Sequence, residues 1–295
     1  MNKDVTIILL SHKSKNLVLE YIEAIYQKFK ILIIDNSNDL ILKNVINNNY
    51  PNITMKIIDN NGYGQAINYG SQFVKTKYFL ISNPDINGVN QVNILKFLYI
   101  AKKLNNRFSA MGPKYIKMNQ RHLEFKKKFL KKNYIKEEFE EKQFISGACM
   151  FFNKKNFDLL KGFDENFFLY FEENDYCLRS YKKDRDKNTK NKNYQINSIL
   201  VEHNVGNSVI TNNNHDKLKY GNLRTWHFIW SKFYYHKKHY GFILAFLYFI
   251  PIIIRIRFRI ILYTIKKDYK NLDKYKSRWS GLFYSVIGKK SFKRI

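Results

Sequence analysis

The stretch VTIILLSHKSKNLVLEYIEAIYQKFKILIIDNSND, residues 5–39, decides the fold. It begins with a continuous apolar run rich in β-branched residues (5–11) and ends with a second run, KILIID (30–35). Between them, NLVLEYIEAIYQK (16–28) carries apolar side chains at helical spacing. Strands that are apolar at every position are buried on both faces, as in a parallel sheet covered by helices. The stretch therefore predicts a strand-helix-strand unit of an α/β protein.

The same alternation continues along the chain. TMKIIDN (54–60) and KYFLISNPD (77–85) predict two more strands, with a helix between them. The charged stretch KKDRDKNTKNKN (182–193) predicts a solvated loop. An open sheet of this kind binds ligands outside the carboxyl ends of its strands. Further elements are predicted as a helix over 91–104, strands over 108–114 and 194–203, and a strand followed by a helix within 144–160.

The composition indicates a globular, strongly basic protein. The chain has 295 residues, of which 45% are hydrophobic, and this excludes global disorder. The formal net charge is +28, and residues 221–295 hold 17 Lys and Arg against 2 acidic residues. Such a charge predicts an anionic partner: nucleic acid, a phosphorylated substrate or an acidic membrane surface. A basic nucleic-acid-binding protein without catalysis is therefore one hypothesis.

Two local features bear on the compartment. Cys149 and Cys177 stand in apolar contexts without a CxxC pattern, so free buried thiols in a reducing compartment are expected. The apolar run at the N-terminus is too short for a signal peptide. Both features predict a protein that folds in the cytoplasm.

Polar residues follow several predicted strands at the point where each strand ends. Asp35 ends the second strand, DNNGYGQAINYG (59–70) follows the third, SNPD (82–85) ends the fourth, and HNVGNS (203–208) follows the last. Each has a local alternative, such as Asp35 capping a turn or the glycines serving tight backbone. Their recurrence at strand ends favours a ligand site at one edge of the sheet.

The stretch GFDENFFLYFEENDYCLR (162–179) mixes five acidic side chains with four Phe and two Tyr. Acidic groups are costly to bury, whereas aromatic rings favour burial. A carboxylate beside aromatic rings is partly dehydrated, which raises its pKa and makes it a better base near neutral pH. The alternative is structural, because Asp175 and Arg179 stand at i, i+4 spacing and could form a helical ion pair.

These motifs resemble glycosyltransferase family 2, the inverting nucleotide-sugar transferases of the GT-A fold. The resemblance runs from Val5 to about Ser208, with a weaker match in WSKFYYHKKHYG (230–241). NPD stands where most GT-A enzymes carry DxD, and the acidic aromatic stretch matches a long family pattern. The likeness is strongest to a bacterial rhamnosyltransferase-like branch that builds surface polysaccharides. It implies a GT-A-like, Rossmann-like mixed sheet flanked by helices, with a C-terminal helical appendage.

The resemblance also implies a donor site. It implies a dTDP- or UDP-sugar donor and a divalent cation, Mg²⁺ or Mn²⁺, held by Asp85 and His203. Asp35 would accept a hydrogen bond from the pyrimidine base. The donor-binding residues implied are Ser11, Asp35, Asn61, Gly62, Asn68, Asn83 and Asp85.

The family's catalytic position falls on Glu173, where Asp is usual. Glu173 would take the proton of the acceptor hydroxyl, with Glu172 and Asp175 beside it in the catalytic group. Gly147, Asp164 and Glu165 would lie on the side of the acceptor, a glycan or a lipid-linked glycan. The departure at Glu173 leaves a degenerate, non-catalytic transferase as a further hypothesis.

The C-terminal quarter predicts a membrane-associating region. We divide the chain into a transferase domain, 1–220, and a basic aromatic helical region, 221–295. Phe242–Ile254 is an uncharged run of 13 residues, which Arg255, Arg257 and Arg259 follow. This is short for a span and favours an interfacial anchor on an anionic membrane, with a buried helix or a true span as alternatives. The expected location is cytoplasmic, peripheral on the inner face of the cell membrane, with a possible homodimer and no nucleic acid partner.

Overall fold

The computed structural model describes residues 2–116, 138–187, 191–203 and 214–294. Within those ranges the chain forms nine strands and nine helices. The strands are β1 (Val5–Ser11), β2 (Lys30–Asp35), β3 (Ile53–Ile57), β4 (Tyr78–Ser82), β5 (Ile86–Asn87), β6 (Phe108–Ile116), β7 (Phe139–Glu141), β8 (Cys149–Asn153) and β9 (Lys192–His203). The helices are α1 (Lys15–Glu23), α2 (Leu40–Asn49), α3 (Tyr63–Ser71), α4 (Gln91–Lys103), α5 (Lys154–Leu159), α6 (Glu172–Lys187), α7 (Asn214–Tyr240), α8 (Phe242–Ile265) and α9 (Tyr269–Val286).

One mixed sheet contains all nine described strands, in the order β3-β2-β1-β4-β8-β6-β9-β5, and β7 pairs with β9. β3, β2, β1 and β4 are parallel, whereas β8 runs antiparallel to β4 and to β6. The predicted α/β architecture, a mixed sheet flanked by helices, is therefore confirmed.

The apolar runs that predicted the first strands do form the centre of the core. Every residue of β4 is buried, as are the apolar residues of β2. Phe151 in β8 stacks on Phe97 of α4, with ring centroids 5.3 Å apart. Because both faces of these strands are covered, their sequences carry no polar alternation.

The chain divides into two compact units. The sheet unit comprises Met1–Asn61, Gln65–Phe163 and Tyr176–Ile210, and the helical unit comprises Gly62–Gly64, Asp164–Asp175 and Thr211–Ile295. The predicted domain boundary between residues 220 and 221 stays a prediction. The units are not consecutive in sequence, because the short segments Gly62–Gly64 and Asp164–Asp175 belong to the helical unit.

The helical unit has a small core of its own. Phe233 of α7, Phe249 of α8 and Leu282 of α9 are buried in one cluster. α9 approaches α7 closely at Gly281, where a Cβ atom would lie 2.4 Å from the carbonyl oxygen of Trp226. Glycine is therefore required sterically at this helix contact.

Two sequence expectations change with the structure. The loop predicted over 182–193 is wrong for its first part, because α6 continues through Lys187. The alternative of a membrane span at residues 242–263 finds no support: no helix in the described ranges combines the length and apolar character needed to cross a bilayer.

Candidate active site

The first part of the predicted donor site forms at the carboxyl ends of parallel strands in the sheet unit. Ser11, the last residue of β1, is the register partner of Asp35, the last residue of β2. Both residues are fully buried. Parallel pairing in this register brings two of the predicted donor-binding residues side by side at one edge of the sheet.

The Asp35 carboxylate is used in a local turn. It accepts hydrogen bonds from the backbone N–H groups of Ser37 and Asp39, both at 3.0 Å, and from the Ser37 hydroxyl at 3.0 Å. These three hydrogen bonds correspond to the turn-capping role that the sequence allowed for Asp35 as an alternative to ligand binding. A carboxylate has about four lone-pair positions, so three bonds leave room for one further donor.

A polar network beside Asp35 was not predicted from the sequence. His12 Nδ1 donates to Asn36 Oδ1 at 2.8 Å, and Asn36 Nδ2 donates to Asn60 Oδ1 at 3.2 Å. These residues come from the loops that follow β1, β2 and β3. Their position directly after three consecutive predicted strands is the signal that could have identified them.

Asp85 is the least satisfied carboxylate of the predicted donor site. Its exposure is 2%, and neither carboxylate oxygen has a hydrogen-bond partner in the described part of the chain. His203 Nε2 lies 3.5 Å from Asp85 Oδ1, because Ile86 pairs with His203 between β5 and β9. A buried charge without a full set of partners is costly unless a cation or a ligand completes it.

The chemistry of Asp85 and His203 fits a divalent cation. A carboxylate suits Mg²⁺, and an added imidazole makes Mn²⁺ suitable too. Within the residues that the structure describes, no group of three or more His, Cys, Asp or Glu side chains could hold a metal ion. These two side chains could therefore supply only part of a coordination shell, and a ligand and water would supply the rest.

The remaining predicted donor residues have different surroundings. Asn68 Nδ2 donates to the Phe163 carbonyl oxygen, and Asn68 Oδ1 accepts from the Phe163 N–H, both at 2.9 Å. Asn68 thus holds the start of the acidic stretch. The backbone N–H of Asn83 bonds to the carbonyl of Ala148, the residue after Gly147, while Asn61 is exposed.

In the helical unit, Asp164 is held by groups from α7. Its Oδ2 accepts from the Tyr234 hydroxyl at 3.1 Å and from Lys238 Nζ at 2.7 Å. Asn166 donates to Oδ1 through its backbone and side chain. Burial raises the pKa of Asp164, but the hydrogen bonds from Lys238 and Asn166 outweigh burial and hold the pKa below its usual range. Asp164 is therefore a fixed, charged carboxylate.

Asp175 shares the same lysine. Lys238 Nζ lies 2.6 Å from Asp175 Oδ1, and His239 Nε2 donates to that oxygen at 2.8 Å. The Asp175 side chain is fully buried. A buried carboxylate held by an ammonium group and an imidazole is suited to positioning, because taking up a proton would break both contacts.

Glu172 and Glu173 lack the ammonium and imidazole contacts that hold Asp175. The Oε2 atom of each glutamate is buried and has no hydrogen-bond partner in the ranges described. Burial, and then the charge of Glu173, raise the pKa of Glu172 well above its usual value. Burial also raises the pKa of Glu173, the direction expected for a general base that works near neutral pH.

The backbone before these glutamates is strained. Tyr170 and Phe171 have φ values of 69° and 71°, in the left-handed region that residues with side chains rarely adopt. Such conformations cost about 1–3 kcal/mol each and persist where neighbouring groups fix them. Both rings contact the Phe228 ring of α7, with centroids 5.6 Å away in each case. α7 thus fixes the backbone that leads into Glu172.

Other predicted site residues lie around the acidic stretch or outside the described ranges. Gly62 has a φ of 115°, and a Cβ atom there would lie 2.5 Å from the Phe168 carbonyl oxygen, so glycine is required at this contact. Glu165 is exposed, and Gly147 lies in the turn before β8. Of the predicted loop HNVGNS, residues 204–208 lie outside the described residues.

Comparison with known families gives a match by sequence. The model of the family described as "Glycosyl transferase family 2" matches residues 6–160, just over half of the chain. A search of curated protein sequences gives no match.

Solved structures show the same fold at low sequence identity. The mannosyltransferase PcManGT from Pyrobaculum calidifontis, solved with GDP-Man and Mn²⁺, has a TM-score of 0.56 and 10% identity; the match covers 96% of this chain and 88% of that one. TarS 1-349 from S. aureus, solved with UDP-GlcNAc, has a TM-score of 0.52 and 12% identity, with 97% and 92% covered. GalNAc-T7, solved with UDP, GalNAc and Mn²⁺, has a TM-score of 0.54 and 12% identity over 68% of this chain.

The matched region is less than half of two of the solved structures. The chain spans 43% of GalNAc-T7 and 39% of TarS in another of its crystal structures. At identities this low the likeness establishes the fold, and it confirms the predicted GT-A-like architecture.

Proposed function

The chain belongs to glycosyl transferase family 2, and from this premise we propose that it moves a sugar from a nucleoside-diphosphate donor to a glycan or lipid-linked acceptor, with inversion. One observation carries the proposal: the buried carboxylate of Asp85, which lacks hydrogen-bond partners among the described residues, beside His203 at the end of the parallel strands. Such a pair suits a cation bound together with a diphosphate. The family membership argues against the nucleic-acid-binding hypothesis.

The donor would bind at the strand ends of the sheet unit. Asp35 has room to accept one hydrogen bond from a pyrimidine base, as in a dTDP- or UDP-sugar. Asp85 and His203 would hold Mg²⁺ or Mn²⁺, which supplies positive charge against the leaving diphosphate. The solved structures of similar fold that contain UDP or GDP-Man, two of them with Mn²⁺, support this choice of ligand class.

Glu173 is the proposed base. Inversion requires a group that removes the proton of the acceptor hydroxyl as the oxygen attacks the anomeric carbon. The raised pKa of Glu173 suits that role, and Glu172 shares the same buried surroundings. Asp175, held by Lys238 and His239, is proposed to position the first turn of α6 within the catalytic group.

The acceptor side is proposed from the same elements. Asp164 is charged and fixed, and Glu165 is exposed, so either carboxylate could accept hydrogen bonds from sugar hydroxyls. Gly147 is also proposed to lie on the acceptor side. L-rhamnose as the sugar, and surface polysaccharide as the product, rest on the resemblance to the rhamnosyltransferase-like branch.

Release of nucleotide from a panel of donors tests the proposal. The full chain is incubated with UDP- and dTDP-sugars, with Mn²⁺ or with EDTA. We expect one donor class to be cleaved with Mn²⁺ and not with EDTA. Stabilisation by a donor without any cleavage would favour the degenerate, non-catalytic alternative. If no donor is either cleaved or bound with Mn²⁺, as judged by thermal shift, the proposal is wrong.

A further inference from the structure

α8 carries a continuous apolar stripe that faces solvent. Its seven members recur at spacings of three or four residues, so they share one face of the helix. They extend over 22 residue steps, or about 33 Å at a rise of 1.5 Å per residue. Their exposures run from 38% for Ile250 to 75% for Ile265. The stripe consists of Ile243, Leu247, Ile250, Ile254, Phe258, Ile261 and Ile265.

The opposite face of α8 already has its protein partner. Ala245, Phe249 and Ile256 are buried there, in the cluster that includes Phe233 and Leu282. The helix is therefore apolar on two faces, and only one of them contributes to the core of the helical unit. A helix that is apolar all round is typical of burial in protein or lipid on both sides.

Basic and aromatic residues accompany the stripe. α8 contains Arg255, Arg257 and Arg259 and no acidic residue. Lys266 and Lys267 follow directly. Tyr240, which precedes α8, and Tyr269, which follows it, are 50% and 69% exposed. Tyrosines with one apolar and one polar end are enriched at membrane interfaces.

We propose that the exposed stripe of α8 inserts into the interfacial layer of an anionic lipid bilayer, with the helix lying parallel to the membrane. Arg255, which is exposed, would extend towards lipid phosphates, whereas the Arg257 guanidinium lies 4.6 Å from the Trp279 ring centroid and Arg259 donates to the Tyr263 hydroxyl at 3.2 Å. A crossing orientation does not fit, since no described helix is long and apolar enough to span. This inference goes beyond the transfer reaction and does not depend on it.

A second copy of the chain is a poorer occupant. A twofold contact along the stripe would bring together two copies of α8, each with three arginines and no carboxylate to neutralise them. Each copy also carries a net charge of +28. Anionic lipid supplies both the apolar layer and the compensating charge.

Flotation with vesicles tests the proposal. The full chain is mixed with vesicles of phosphatidylcholine alone or with phosphatidylglycerol. The double variant Ile254→Ser/Phe258→Ser removes two stripe residues that are 64% and 60% exposed. The matched control, Ile41→Ser/Val92→Ser, removes two residues of the sheet unit that are 66% and 61% exposed. We expect wild type and control to float with anionic vesicles, and the stripe variant to bind at least about tenfold more weakly.

The charge term is tested separately. Arg255→Gln should weaken binding to anionic vesicles about fivefold, and Lys102→Gln, at an exposed position in the sheet unit, should leave it unchanged. A fluorophore on Ile254→Cys reports insertion directly, because both native cysteines are buried. Its emission should shift to the blue on adding anionic vesicles.

Two results would overturn the proposal. One is wild-type protein that stays at the bottom of the gradient at low salt. The other is a wild-type dimer, seen by sedimentation equilibrium, that the stripe variant converts to monomer while vesicle binding is equal in both proteins. The second result would assign the stripe to a protein contact.

Discussion

Lys238 gives the sharpest test of how the helical unit is held together. Its ammonium group lies 2.6 Å from Asp175 Oδ1 and 2.7 Å from Asp164 Oδ2. Lys238→Met removes the charge and keeps most of the side-chain volume. The fully buried Asp175 would then keep its contact with His239 and lose the ammonium group beside it.

The size of the effect follows from this geometry. Removing one partner of a buried ion pair costs about 3–5 kcal/mol, because the other charge stays buried. Lys238 is 27% exposed and His239 remains, so the lower part of that range applies. We expect the free energy of unfolding of the helical unit to fall by about 3 kcal/mol. The adjacent Lys237→Met should change it by less than about 0.5 kcal/mol.

Tryptophan fluorescence during urea unfolding measures this change. The three tryptophans, Trp226, Trp230 and Trp279, all belong to the helical unit, so their signal reports on it. With an m-value of about 1–3 kcal/mol per M, the midpoint should fall by roughly 1–3 M. Equal midpoints for Lys238→Met and Lys237→Met would refute the claim that Lys238 stabilises the buried carboxylates.

Three further changes test other parts of the account. Glu173→Gln should reduce sugar transfer by roughly 10²–10⁴-fold while donor affinity stays nearly constant, and wild-type activity should fall as pH drops through the raised pKa of Glu173; equal activity of the variant would exclude Glu173 as the base. Burial lowers the pKa of His227 from 6.5 to about 4, so the stability that its neutral form contributes is complete above about pH 6.5 and is lost as pH falls through about 4. Urea midpoints should therefore fall between pH 7 and 4 more in wild type than in His227→Gln, and parallel curves would refute this. Gly281→Ala should destabilise the helical unit by about 1–3 kcal/mol, because the new Cβ atom would meet the Trp226 carbonyl. Gly221→Ala, whose Cβ atom would meet nothing within 4 Å, should stabilise the unit by roughly 0.5–1 kcal/mol. A change of the same sign in both variants would contradict the packing of α9 on α7.

The sheet could be predicted because its strands carry a strong local signal. β1, β2 and β4 are apolar at nearly every position, a pattern that needs no tertiary information to interpret. The end of α6 could not be placed this way. Its last turns are charged and polar, and the same residues suit a solvated loop or an exposed helix.

The residue types of the site could be predicted from the sequence, but the hydrogen-bond and ion-pair partners of each side chain could not. Asp35 and Asp85 look alike in sequence, since each follows an apolar run. Their difference comes from tertiary contacts: the turn after β2 satisfies Asp35, whereas none of the described residues gives Asp85 a hydrogen bond. Likewise, the pairing of Asp175 with Lys238 joins residues far apart in the chain, and no periodic pattern reports such a contact.

Binding of Mn²⁺ in the presence of UDP tests the central claim most directly. The free Mn²⁺ signal in electron paramagnetic resonance is followed for wild type, for Asp85→Asn, and for Glu20→Gln, which changes an exposed carboxylate of α1. Loss of a residue that orients a metal ligand weakens metal binding by roughly 10–100-fold, so loss of a direct ligand should cost at least about 100-fold. We predict this loss for Asp85→Asn and unchanged binding for Glu20→Gln. Equal Mn²⁺ binding by wild type and Asp85→Asn would contradict the assignment of the cation and diphosphate to Asp85.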